Sequence, residues 1–556
     1  MPLSLLLASA HGLVVSGVNG VRIAAPTTPR RAAQISAQAV AEPPVAPVSD
    51  EVSEKEPLRV LICGAGVGGL ALANCLQHAD HETSVPVEYT VLERTTEFKR
   101  FGGPIQLASN AMQNFRAIDE SLYDEIEAQV TWTGNRTNGI KDGIRDEWYA
   151  KFDLGTPAKV RNMPYTCVID RPDLQETLLS RINHNVRNGA AISSYEYEKD
   201  GTVTAVLESG ERVHGDVLIG ADGIWSAVRA GMRGEPAKGA GSGVSYSGYT
   251  VFAGELTYNA ASTPSDIGPD PACGYKVYIG PNQYFVITDI GGGRYQWYAF
   301  LARDEGSEAS EPKPDGASPY LQKLFTGWSP EVIDILQATR EDEIEQRDLY
   351  DRPPSVLKKW NDGRVALLGD AVHAMMPNLG QGGCQAIEDA AVLAEEIGAT
   401  TRRSELADAL QRYRNRRLAR SAAVQGLSRF ASDIIIQGFD TPAKVYMKDG
   451  ALQVENLNYA GVVTRLLQPI LPIFFSVQFN FLYSGWRNER FALEPIRDFF
   501  LLAPAVLGTG LLVDGMLGGE LLGGGEAIGA IDGASEGSEG ILATLQQLFE
   551  SFSGMM

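Results

Sequence analysis

The chain has 556 residues, 44% of them hydrophobic, with 48 Lys and Arg against 69 Asp and Glu, for a formal net charge of −21. That length holds two or three domains with sizeable cores, and that charge excludes nucleic acid as a partner, because its phosphates would be repelled. Five scattered cysteines (63, 75, 167, 273, 384) form no CxxC pair and the six histidines do not cluster; buried structural thiols and no metal site are expected.

Residues 1–56 read as a targeting segment and linker. The stretch before Glu42 carries Arg22, Arg30 and Arg31 but no acid, and is rich in Ala, Ser and Thr, as transit peptides are. Leu3–Ala10 also reads as a short secretory apolar core, and a bipartite signal plus transit sequence accounts for both. Glu42 to Pro57 is a Pro/Glu linker.

A first nucleotide-binding segment is expected over 57–243. Leu58–Cys63 is a short apolar strand, followed by Gly64-Ala-Gly66-Val-Gly-Gly69 and a helix through Leu76. The next strand, Val87–Leu92, ends in Glu93. Strand, glycine turn, helix, strand and acid in this order form the dinucleotide fingerprint. Gly64 permits the tight turn, Gly66 lets pyrophosphate approach, Gly69 lets helix pack on strand, and Glu93 accepts from ribose hydroxyls. Further on, Asp216-Val-Leu-Ile-Gly-Ala-Asp222-Gly223 with Ile-Trp-Ser-Ala-Val-Arg229 repeats the pattern of buried strand, turn and helix start. Asp and Gly suit such a turn on structural grounds alone.

Residues 244–340 read as a substrate-binding sheet domain. Tyr275–Ile279 and Tyr284–Ile287 alternate as antiparallel strands do, and Gly291-Gly-Gly293 turns the chain before Arg294–Leu301. Its Tyr, Phe and Trp wall a long apolar pocket or fill a core.

The most informative stretch opens the second nucleotide-binding part, 341–430. Val365–Leu368 is an apolar strand closed by Gly369-Asp370; Pro377, Gly380, Gln381, Gly382 and Gly383 follow, and helical spacing starts at Cys384. The glycines therefore sit at a helix N-terminus, where unpaired N–H groups and the positive dipole end favour an electron-rich edge. Such a loop suits a flavin ring whose N1–C2 edge becomes anionic on reduction, and so selects FAD as the dinucleotide. A surface turn would not explain four close-approach positions in a row. Arg412–Arg420 reads as a solvated basic helix face, or as a contact for anionic lipid or an acidic electron donor.

Residues 431–556 read as a helical extension, apolar and then Gly-rich and acidic. Residues 466–483 suit a packed helix or interfacial membrane contact; Pro469, Pro472, Gln468, Gln478 and Asn480 argue against a spanning helix. Leu542–Phe552 suits one short helix.

The three elements around Gly64, Asp222 and Gly369 occur in the order seen in FAD-dependent aromatic-ring monooxygenases with the p-hydroxybenzoate hydroxylase fold, which the chain resembles. The resemblance narrows to the zeaxanthin epoxidases of the plastid xanthophyll cycle. It is carried by Gly103-Pro-Ile-Gln-Leu-Ala-Ser-Asn-Ala111, Trp148–Ala158, Val168–Gln175, Gly248-Tyr-Thr250, Gly274–Val277, Gln283–Val286, Gln296-Trp-Tyr-Ala-Phe300 and Arg347–Arg352, and covers about residues 57–420. Gly102 stands where an Arg is common, and the plant C-terminal forkhead-associated domain has no counterpart here.

The resemblance implies an α/β fold, with a Rossmann-like FAD-binding domain interleaved with an antiparallel-sheet substrate domain. It implies that Asp222 serves FAD and pyridine nucleotide, that Asp370 holds the ribityl chain, and that Arg171 is a further FAD contact rather than a surface salt bridge. It implies epoxidation of β-ionone rings through a flavin C4a-hydroperoxide, with O2 as co-substrate and NADPH or reduced ferredoxin as donor. The partner is a carotenoid in lipid, at a peripheral membrane site in the plastid, thylakoid-associated or stromal. No side chain is assignable as catalytic acid or base. Gln106, Asn110 and Tyr249 are candidates for the substrate 3-hydroxyl or for core hydrogen bonds. The alternatives are a soluble aromatic-ring hydroxylase of the same fold and a non-catalytic flavin-binding interaction protein.

Overall fold

The computed structural model describes residues 56–78, 86–98, 103–257, 272–280, 283–306, 313, 315–436, 440–448, 451–458, 468 and 471–484. These lie within one compact unit, residues 14–495; the other unit, 1–13 with 496–556, falls outside the described residues. The expected targeting segment, Gly102 and the Leu542–Phe552 helix also fall outside them.

The first layer is a six-stranded sheet. In chain order its strands and first helix are Leu58–Cys63, α1 (Val67–His78), Val87–Leu92, Val186–Arg187, Val217–Gly220, Asn361–Asp362 and Val365–Leu367. Across the sheet the strands run 361–362, 365–367, 217–220, 58–63, 87–92, 186–187, parallel throughout except for the edge pair 361–362 with 365–367. Ile62 registers with Val91 on one side and Ile219 on the other. Val60 to Cys63, Val217 to Ile219 and Val365 to Leu367 are all buried. Continuous apolar runs are what a parallel sheet covered on both faces requires.

The second layer is a seven-stranded sheet. It contains Thr137–Asp142, Trp148–Phe152, Ser245–Thr257, Cys273–Gly280, Gln283–Gly291, Arg294–Ala302 and Ile344–Asp351, which run across the sheet as 344–351, 245–257, 294–302, 283–291, 273–280, 137–142, 148–152. All pairs are antiparallel except 273–280 with 137–142. The expected boundaries at 244 and 341 therefore move. Strands 137–152 and 344–351 leave the nucleotide-binding segments and complete this sheet, because their backbone groups find partners only there.

Side chains alternate across a strand, and this sheet uses both faces. Phe252, Phe285, Trp297 and Leu301 pack under helices 317–324 and 330–338 with Phe325 and Trp328. The neighbouring positions Val251, Tyr284 and Phe300 point the other way and form a second apolar cluster with Tyr249, Ile279 and Met376.

The extension is only partly helical. A long helix, residues 406–436, ends before an antiparallel hairpin of Asp440–Lys448 and Ala451–Asn458 that sequence pattern did not suggest. Leu471–Tyr483 is the expected packed helix: Phe479, Leu482 and Tyr483 are buried, and Phe475 meets Phe152 edge-on at 4.2 Å. Among the described residues no helix is long and apolar enough to cross a membrane.

Candidate flavin site

The site is built from three turns at the ends of parallel strands. At the first, Gly64 has φ +112°, in the left-handed region that L side chains rarely adopt, and a Cβ there would collide with the Ala221 carbonyl. A Cβ at Gly69 would strike the Gly64 carbonyl, so α1 packs directly on the turn. At Gly66, by contrast, a Cβ would meet nothing within 4 Å, leaving that backbone open to a ligand. Glu93 is nearly buried and accepts from Ala65 N–H and Thr95 N–H, both at 2.8 Å. One lone pair on each oxygen remains for ribose hydroxyls. Gln175 holds the Ala65 carbonyl at 3.1 Å.

At the second turn Asp222 Oδ2 accepts from the N–H groups of Ala227 and Val228, at 2.7 and 3.2 Å, in the first turn of helix 227–233, whose N-cap Ser226 accepts from Arg229 N–H at 2.9 Å. Its Oδ1 is buried without a partner. Burial pushes the Asp222 carboxyl up despite hydrogen bonds from the Ser226 side chain and the backbone. One oxygen is structural and the other is left for a donor.

The third turn carries Gly369, φ +60°, then the short helix 370–373 and the loop to helix 382–398. Asp370 stands exposed at the start of its helix, close enough to exposed Arg171 for their charges to attract. Pro377 is exposed; Gly380, Gly382 and Gly383 are half-buried. Gln381 places no side-chain cap on helix 382–398, so the first-turn N–H groups face the loop rather than a carboxylate or hydroxyl. A Cβ at Gly380 would sit 2.7 Å from Gln106 Nε2, and one at Gly383 2.7 Å from Ile105 Cδ1. Helix 382–398 meets α1 across Gly68, where a Cβ would sit 3.1 Å from Ala386 Cβ. The turns are thus contiguous.

Behind the loop lies a buried charged network that sequence pattern did not reveal. Arg417 pairs with Glu388 at 2.5 Å and Asp389 at 2.6 Å, and all three side chains are fully buried. Arg420 adds bonds of 2.7 Å to both Glu388 oxygens. Asp389 in turn accepts from Gly369 N–H at 3.0 Å and lies 2.6 Å from His373 Nε2. Asn110 donates to Glu388 at 2.6 Å and to Gln381 at 3.2 Å. Burial alone would push the Glu388 carboxyl up, but Arg420 and Arg417 overcome it and hold it at about 2. The Arg412–Arg420 segment is accordingly no open basic face. Arg412 and Arg416 bind Glu396 at 2.7 and 2.8 Å, and Arg417 and Arg420 point inward. The overlooked signal was a pair of acids, Glu388 and Asp389, inside the apolar run Ala386–Leu393. Acids in a helix that is apolar all round must be buried and paired.

The three weak candidates separate. Asn110 is 1% exposed and belongs to this network, not to the aromatic face. Gln106 lies against Gly380. Tyr249 lies in the aromatic cluster. That cluster is tied to the loop by Tyr284, whose hydroxyl donates to Asn378 Oδ1 at 2.7 Å while its ring stacks on Phe300 at 4.1 Å.

Four of the five thiols, Cys63, Cys75, Cys167 and Cys384, are buried and Cys273 is half-buried. Burial pushes Cys384 up to about 12, and the described residues contain no metal-ligand cluster. Open backbone at Gly66, the orphaned Asp222 oxygen, the uncapped helix at Gly382 and the exposed Asp370–Arg171 pair together fit FAD.

These features define a flavin-binding fold, and the chain belongs to the FAD binding domain family, which it matches over residues 57–428. Among curated relatives it is 41% identical over 387 residues to a chloroplastic zeaxanthin epoxidase of Oryza sativa subsp. japonica, covering 67% of this chain and 55% of that one. It is 39% identical over 401 residues to the chloroplastic zeaxanthin epoxidase of Prunus armeniaca, covering 71% and 58%. The chain thus spans little more than half the length of the curated relatives it matches. Among solved structures it resembles Klebsiella pneumoniae HpxO complexed with FAD and uric acid, with TM-score 0.59, 25% identity, and 69% and 90% of the two chains covered. A salicylate hydroxylase substrate complex shares the fold at TM-score 0.56 and 21% identity, covering 76% of this chain and 95% of that one.

Proposed function

We propose that the chain is an FAD-dependent monooxygenase that epoxidises the β-ionone rings of xanthophylls, taking zeaxanthin to antheraxanthin and then violaxanthin. The observation that carries the reading is the aromatic face of the seven-stranded sheet. Tyr249, Val251, Tyr284 and Phe300 cluster with Met376, one residue before the loop that begins at Pro377. Tyr284 joins the face to the loop through Asn378. The roughly 40% identity to zeaxanthin epoxidases extends over 67% and 71% of the chain, which supports a shared substrate class.

Reduced FAD, when bound, supplies oxygen activation. One oxygen atom enters the ring double bond and the other leaves as water, with two electrons from NADPH or reduced ferredoxin. The residues of the chain bind, orient and shield. Gly64 to Gly69 and Glu93 take the adenosine and pyrophosphate end. Asp222, Arg171 and Asp370 take the middle, and Pro377 to Gly383 the ring. The aromatic face excludes water and holds one ionone ring. Tyr249, and Gln106 at the loop, are the groups placed to meet a ring hydroxyl. A carotenoid is far longer than a compact pocket, so its polyene reaches back into lipid; the chloroplastic relatives support a plastid location, thylakoid-associated or stromal.

The test supplies zeaxanthin in galactolipid micelles to the FAD-loaded chain with NADPH, reductase, ferredoxin and oxygen, and reads carotenoid mass after chromatography. Gain of one or two oxygen atoms is expected. Flavin reoxidation without a carotenoid product, together with hydroxylation of a phenolic acid, would replace this reading with a soluble aromatic hydroxylase.

A further inference from the structure

A small cleft opens beside helix 370–373, lined by Arg233, Arg352, Ser355, Lys358, Trp360 and His373. It concentrates positive charge in a chain whose net charge is −21. Arg229 and Arg352 reach Glu235 at 2.9 and 3.1 Å, and Arg233 lies 4.0 Å from it, so one carboxylate is shared by three guanidinium groups. Asp222 also attracts Arg229. Lys358 feels the repulsion of all three arginines. Burial first, and Arg352 next, push Arg233 down to about 10. Four cations against two carboxylates leave an excess of positive charge.

Two buried nitrogens, one on the lining residue His373 and one on Arg229 outside the lining, make no hydrogen bond. Arg229 is fully buried; its Nε and Nη1 are bonded to Glu235 and the Ala371 carbonyl, but Nη2 has no partner. His373 is 1% exposed on the cleft wall; Nε2 is held by Asp389, and Nδ1 has no partner. An orphaned guanidinium N–H beside excess positive charge favours an oxyanion.

The rim of the cleft is not polar. Val356 and Leu357 are 49% and 86% exposed side by side at the tip of the same loop, immediately before Lys358 and Lys359. Arg414 anchors the tip by a 3.3 Å bond to the Val356 carbonyl, and Lys359 pairs with Asp362 at 3.0 Å. A soluble partner carrying phosphate would need no projecting Leu. A bilayer needs both features, because apolar side chains enter beneath the headgroups while cations meet lipid phosphate.

We propose that exposed Lys358 and the rest of residues 353–359, around the mouth of the adjoining cleft, meet the phosphate of an anionic lipid headgroup, with Val356 and Leu357 entering the apolar layer. The membrane contact sought in residues 466–483 is thereby assigned to a different surface. Co-sedimentation of the FAD-loaded full chain with vesicles of phosphatidylcholine, with and without phosphatidylglycerol, tests it. Phosphatidylglycerol vesicles should bind, phosphatidylcholine vesicles much less, and rising inorganic phosphate should compete. Leu357→Glu and Lys358→Glu, both at exposed positions, should each weaken binding about tenfold or more without moving the unfolding temperature. Equal binding of the two vesicle types, or unchanged binding by both variants, overturns the proposal. Saturable binding of inorganic phosphate without vesicle binding overturns it too, because the cleft would then serve a soluble anion.

Discussion

The loop 377–383 separates two regions made of opposite materials. Behind it, Glu388, Asp389, Arg417, Arg420 and Asn110 form a dry charged network whose bonds reach the loop through Gln381 and the preceding turn through Gly369 N–H. In front of it, Tyr249, Val251, Tyr284, Phe300 and Met376 are apolar and aromatic. A loop that binds by its own backbone cannot hold itself in place, so directional charge-assisted bonds must do so from behind. A surface that receives a hydrocarbon ring needs shape and dryness instead. The difference predicts that damage behind the loop appears as lost fold and lost flavin, whereas damage in front appears as lost substrate chemistry.

The largest effect should come from Arg417→Met. It leaves Glu388 and Asp389 buried with too little compensation, a change that costs about 3–5 kcal/mol in comparable sites, readable as a lower urea midpoint and weaker FAD retention. Acid should do nearly the same. The Glu388 carboxyl is held at about 2 in the folded chain, against about 4.3 when unfolded. The unfolded state therefore binds the proton more readily. The stabilisation is complete above about pH 4.3 and is lost as pH falls toward 2, on the order of 3 kcal/mol. Urea midpoints measured across that window should fall steeply in the parent chain and less in Glu388→Gln.

Gly64→Ala should cost about 1–3 kcal/mol, because φ +112° is strained for alanine and the Ala221 carbonyl blocks its Cβ; flavin fluorescence should report FAD released. Smallest is Tyr284→Phe, which keeps the Phe300 stack and removes only the bond to Asn378. About 1 kcal/mol of stability should go, with a fall in carotenoid turnover and unchanged FAD content. Equal loss of FAD there would blur the division between front and back.

How much of this was legible follows from sequence distance. Each nucleotide turn is a local strand–turn–helix unit whose signal lies within about twenty residues, so Gly64 and Gly69 were readable, while the helix expected from Cys384 begins two residues earlier and takes in Gly382 and Gly383. Tyr284 and Phe300 were visible as alternating aromatics, and their antiparallel sheet formed. The network was not readable from the basic helix alone. Arg417 meets Glu388 29 residues away, and Asn110 meets it from 278 away, so Arg412–Arg420 looked solvated when two of its five arginines point inward. For the same reason the sequence left Asn110 open between substrate contact and core hydrogen bonding. Strands 137–152 and 344–351 were assigned by their position in the chain, and pairing, not position, decides which sheet a strand joins.

The most direct measurement is the FAD dissociation constant of two variants beside the parent chain, Asp370→Ala at the exposed position proposed to hold the ribityl chain and Phe300→Leu in the aromatic face. Asp370→Ala should bind FAD about tenfold more weakly or worse, the worth of one charge-assisted bond. Phe300→Leu should bind it as the parent does while losing carotenoid-dependent oxidation of the electron donor. Parent-like affinity in Asp370→Ala, or FAD loss in Phe300→Leu as severe as in Asp370→Ala, would contradict the division of the site into a flavin frame and a substrate wall.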